Sequence, residues 1–165
     1  MSRYKAQCFH HLKNTGVHVC PEHLRENIFY SYQHAYPQLN DWKLVFVDTP
    51  RLNRLGNADT TRKIIHMDVR AFDLDAAHTL DVLRHEIAHA LDPLDYLNAC
   101  MPKRDREIHR EVYGAKCTVR NVFRNLVHSI SWARIAINLG CLLKYATAGY
   151  DLEILRYAKR EAKQK

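Results

Sequence analysis

Apolar positions along this chain recur with two periods, and each period predicts an element. Cys20-Pro21-Glu22 opens a helix, with Pro at the first helical position and an acid in the first turn, and Leu24, Ile28 and Tyr32 continue one stripe towards Pro37. Trp42 to Val47 is rich in aromatic and β-branched residues and reads as a strand. A second such run, Arg62 to Val69, follows the stretch Gly56-Asn57-Ala58-Asp59. Asp73 or Asp75 can cap a helix running to about Leu91, in which Leu80, Leu83, Ile87 and Leu91 recur at spacings of three and four before Pro93 stops it. From Asp105 a longer helical pattern carries Ile108, Val112, Ala115, Val119, Val122, Leu126 and Val127 on one face, with a break expected at Ser129 to Ser131 or at Gly140. A last amphipathic segment, Asp151 to about Ala162, follows Gly149, and the basic tail from Lys159 is expected to fray in solvent.

Inside the helix that ends near Leu91 lies His85-Glu86-Ile87-Ala88-His89, an H-E-x-x-H pattern. Residues four apart on a helix differ by only about 40° in azimuth, so His85 and His89 can offer two imidazole nitrogens to one zinc ion. Leu83 and Ile87 point the opposite way, which assigns one face to the core and the other to the metal. Glu86 lies beside such a metal without binding it. It is placed as the general base that takes a proton from a metal-activated water. Asp81 and Asp92 fall on the histidine face, where either could orient a ring by accepting its second N–H.

A catalytic zinc usually takes three protein ligands, so a third must come from downstream. Asp95 stands at the position of an extended H-E-x-x-H-x-x-G-x-x-H/D pattern, but Asp92-Pro93 replaces the glycine turn. Glu107 or Glu111 would give a carboxylate site, and His109, near the start of the next helix, a third imidazole.

At 165 residues the chain is expected to form a single domain. A net charge of +7 favours polyanionic partners without requiring them. The five cysteines are unpaired in pattern, and the first residues have no apolar leader core, so a reducing cytoplasm is expected. Ile130 to Tyr150 is the most apolar stretch, but Arg134, Asn138 and Lys144 interrupt it; a buried helix is expected there and no membrane span. Cys8, His10, His11, Cys20 and His23 could hold a second, structural metal, although their spacing matches no strong pattern. Arg120, Arg124, Arg134, Lys144, Arg156, Lys159, Arg160, Lys163 and Lys165 could follow a phosphate backbone if they share a face.

From Leu24 to Cys117 the chain resembles the SprT-like zinc metallopeptidases, which include the Spartan-type proteases that digest proteins crosslinked to DNA. The resemblance rests on Asn53 to Asp59, the strand Lys63 to Met67, the helix Thr79 to Ala90 with its H-E-x-x-H, and Asp105-Arg106-Glu107-Ile108-His109 with Tyr113. Ile108 and Arg110 stand where relatives carry Gly, and the C-x-x-C ribbon that many append is absent. The resemblance implies His109 as third zinc ligand and DNA-associated proteins as possible substrates.

The expectation is thus an α+β, zincin-like domain. Residues 21–117 form the metallopeptidase core and 118–165 a helical extension; one zinc sits on His85, His89 and His109, with Glu86 as general base. The strand Lys63 to Val69 is expected at a sheet edge, where an extended peptide substrate can pair with it. The competing class is a nonenzymatic nucleic-acid- or protein-binding module that keeps a structural zinc.

Overall fold

A computed structural model describes residues 20–48, 54–92, 103–114, 128–145 and 149–164. The architecture is α+β, mostly helical with one small sheet. The chain divides into two compact units, Met1–Ala90 and Leu91–Lys165, the boundary falling in the last turn of a helix.

The first unit begins with α1 (Pro21–His23), which passes through a π-helical segment, Leu24–Phe29, into α2 (Tyr30–Ala35). The Cys20 Sγ accepts the His23 N–H at 3.3 Å and so caps the start. In a π-helix the hydrogen-bonded step is five residues. The buried stripe accordingly runs from Leu24 to Phe29, at 0% and 1% exposure, and Ile28, expected on that stripe, is half-buried.

Three strands follow, β1 (Lys43–Val47), β2 (Gly56–Asp59) and β3 (Ile64–Asp68). Their order in the sheet is β1-β3-β2, with β1 parallel and β2 antiparallel to β3. β3 is therefore the central strand. This overturns the expectation that it forms an edge: both sides of its backbone are used in the ladder, and the edge next to the candidate site is β2. Gly56-Asn57-Ala58-Asp59, which carries no strand signal of its own, is held extended by its register with Ile64 to Met67.

Alternation sorts the side chains of the sheet. Leu44, Ile65 and Met67 are buried on one face, and the register puts Gly56 and Ala58 on that face too. Asn57, His66, Asp68, Val45 and Val47 belong to the other. A 3-10 turn, Val69–Asp73, then leads to α3 (Ala76–Leu91), whose first turn is capped by the Asp75 carboxylate accepting the His78 N–H at 2.9 Å. Leu83, Ile87 and Ala88 on α3 are fully buried, each of the larger two contributing about 1.5–3 kcal/mol by leaving water.

The second unit holds α4 (Lys103–Tyr113), α5 (Ile130–Asn138) and α6 (Gly149–Lys163), packed on one another through Ile108, Trp132, Ala133, Ala136, Ile154 and Ala158. Of the long pattern expected from Asp105, α4 carries the part to Tyr113, after which Gly114 takes φ +53; Ala115, Val119, Val122, Leu126 and Val127 lie outside the described residues. That left-handed backbone suits glycine and closes a helix. Ser129 caps α5, accepting the Trp132 N–H at 2.9 Å, and Gly140 at φ +85 follows its end. The tail expected to fray is helical to Lys163, because Arg134 on α5 grips Glu161 on α6 with two bonds of 2.8 and 2.9 Å. Among the described residues no helix is long and apolar enough to cross a membrane.

Candidate metal centre

Helix α3 carries the H-E-x-x-H residues in the geometry its period requires. The Nε2 atoms of His85 and His89 are 3.3 Å apart, with ring centroids 5.0 Å apart. Two nitrogens bound at about 2.0–2.1 Å to one tetrahedral zinc must lie about 3.3–3.4 Å from each other. The spacing of the imidazole pair is one that a metal ion such as zinc could bridge.

Glu86 occupies the same turn but not the same environment. Only 7% exposed, it lies against the edge strand, and the Ala58 backbone N–H donates to its carboxylate. The register explains why that N–H is available. The Asp68 N–H donates to the Leu55 carbonyl at 2.9 Å, which turns the amides of Asn57 and Asp59 towards β3 and those of Gly56 and Ala58 towards the edge that pairs with no strand among the described residues. Burial pushes the Glu86 carboxyl up to about 8, against the opposing pull of the Ala58 N–H and the Arg54 charge. Gly56 provides the space: a Cβ there would stand 2.6 Å from Glu86 Oε1 and 2.7 Å from its Cγ.

Of the third-ligand candidates, Asp95 and the side chain of His109 lie outside the described residues; the backbone of His109 is in α4. Glu107 and Glu111 are exposed on that helix. His85, His89 and His128 form a group that could hold a metal ion, their ligand atoms lying within 4.8 Å of one another. Sequence reasoning missed His128. Its local signal is the cap that follows it: the Ser129 hydroxyl donates to Asp92 Oδ2 at 3.0 Å, directly after the end of α3. His128 also packs on Trp132, with ring centroids 4.3 Å apart. Asp92, expected to orient an imidazole, thus holds the residue next to one. Asp81, the other expected orienter, is buried on α3 at 8% exposure.

Of the N-terminal Cys/His cluster, Cys8, His10 and His11 lie outside the described residues; Cys20 and His23 are engaged in the helix start, His23 Nδ1 lying 3.1 Å from the Asn27 amide nitrogen. No family model, curated protein or solved structure matches this chain.

Proposed function

We propose that this chain is a zinc-dependent metallopeptidase of the SprT-like kind, built on a zincin-like arrangement of sheet and H-E-x-x-H helix. The observation that carries the reading is the 3.3 Å separation of the His85 and His89 Nε2 atoms on the turn that also holds a buried carboxylate, Glu86. In this reading His85 and His89 bind the metal, and His128, grouped with them, would supply the third nitrogen. His109 is the alternative that the resemblance implies.

Zinc bound there would supply Lewis acidity and a water whose pKa lies near 7. Glu86 is the group that would accept a proton from that water and return it to the amine leaving the cleaved peptide bond. Its surroundings suit both roles, since burial favours the protonated acid while the Ala58 N–H and Arg54 favour the carboxylate. Gly56 of β2 leaves the room in which the side chain sits.

Proteolysis of a denatured protein, and of the same protein bound to DNA, tests the reading. Cleavage should require metal, stop with chelator, and be lost in Glu86→Gln with zinc still bound. Hydrolysis undiminished in Glu86→Gln removes Glu86 from the reaction. Retained zinc without any cleavage by the wild-type chain leaves the nonenzymatic binding module.

A further inference from the structure

On the face of the sheet opposite Ile65 and Met67, β3 presents His66 and Asp68, with β1 contributing Val47 and β2 contributing Asn57. These residues, with Arg54, Leu55 and Gly56, line a cavity of about 290 Å³. That is room enough for an amino-acid side chain and lies just below the range of pockets that hold a whole small ligand, about 300–1,000 Å³.

Its charges are unevenly committed. The Asp68 carboxylate, 2% exposed, accepts bonds from Arg70 Nε at 2.7 Å, Arg70 Nη2 at 3.1 Å and the Arg70 backbone N–H at 2.9 Å. Arg54 donates from Nη1 to Asn57 Oδ1 at 2.9 Å and has no ion pair among the described residues. With its oxygen so used, the Asn57 amide has its NH₂ left to donate. His66, half-buried on the same wall, is a further donor.

We propose that this cavity is a subsite for an acidic side chain, Glu or Asp, of the peptide that the chain binds. Arg54, Asn57 and His66, which carry a guanidinium, an amide and an imidazole, line one space, and Val47 and Leu55 can pack the methylenes of an acid's stem. The subsite rests on the peptidase reading for its place in the reaction. Gly56 lines the cavity and, on its other side, leaves the room that Glu86 fills. A peptide extended along the open edge of β2 directs alternate side chains to opposite faces of the sheet. The scissile bond would face Glu86, and a neighbouring side chain would enter the cavity. The net charge of +7 supports the same preference by attracting acidic chains.

The test uses the full chain carrying Glu86→Gln, loaded with zinc, so that binding is read without cleavage. Acetyl-Ala-Glu-Ala-amide and acetyl-Ala-Gln-Ala-amide are titrated by NMR into the millimolar range, following the His66 ring. The Glu peptide should bind at least about tenfold tighter, as expected for one charge-assisted pair. Arg54→Ala, at an exposed position, should bring the two affinities together while zinc content and circular dichroism stay as they were. Equal affinity of the parent chain for both peptides, no measurable binding of either, or a Glu preference that survives Arg54→Ala overturns the subsite. Chelator-sensitive proteolysis by the wild-type chain is measured alongside. Its absence with the Glu preference intact sinks the peptidase reading and leaves the carboxylate site standing.

Discussion

Gly56→Ala isolates the contact on which the position of Glu86 depends. The added methyl would lie 2.6 Å from Glu86 Oε1, 2.7 Å from Cγ and 2.9 Å from Cδ, whereas carbon atoms in contact prefer about 3.5–4.0 Å. Since Cγ is involved, rotating the end of the side chain cannot relieve the clash; the whole carboxymethyl group must shift by about 1 Å. Glu86 is buried, so the shift breaks the bond from Ala58 and presses on its neighbours. Overpacking costs about 1–3 kcal/mol, and about 2 kcal/mol is expected here. The backbone of Gly56 is not left-handed, so alanine adds no strain of its own. A cycle with Glu86→Ala, which removes Cγ, Cδ and both oxygens, measures the term directly. Urea unfolding in chelator should give a loss of about 2 kcal/mol for Gly56→Ala in the wild type and under about 0.5 kcal/mol in the Glu86→Ala background. With zinc restored, Gly56→Ala should keep its metal and lose about 10²-fold in turnover, the cost of displacing a catalytic group by about 1 Å. An equal cost in both backgrounds would show that the methyl clashes with something other than Glu86 and would refute the reasoning.

Three further outcomes follow from the same geometry. In the metal-free protein Glu86 titrates near 8 against its usual 4.5, so folding holds a proton that the unfolded chain has already released between those values; wild-type stability should fall relative to Glu86→Gln as pH rises from about 4.5 to 8, by several kcal/mol at most, and a parallel pair of pH curves would contradict it. One zinc per chain is expected, and His128→Ala should weaken its binding by at least about tenfold while Glu111→Gln leaves occupancy intact; if zinc titration shows the loss in His109→Ala instead, the resemblance has named the third ligand correctly. Ser129→Ala removes the cap of α5 and the bond to Asp92, which should cost about 1 kcal/mol in thermal unfolding and lower zinc affinity as well; unchanged affinity would detach His128 from the metal.

Much of the candidate site was legible in the chain because its geometry is local. A helix brings residues four apart together whatever surrounds it, so H-E-x-x-H within an apolar period was enough to place His85 beside His89 and to set Leu83 and Ile87 on the opposite, buried face. The start at Cys20-Pro21, the cap at Asp75 and the strand cores Lys43–Val47 and Ile64–Asp68 are local in the same sense. Tertiary structure decided the rest. Gly56–Asp59 is extended because β3 pairs with it, and β3 is central because β1 takes one of its edges and β2 the other; neither follows from the residues that form the strand. The π step that replaces Ile28 with Phe29 in the core is likewise a choice made by packing. So is the bond from Ser129 to Asp92, which joins residues far apart in sequence. A periodic pattern records which face of an element is apolar; it carries no term for which distant element will cover that face.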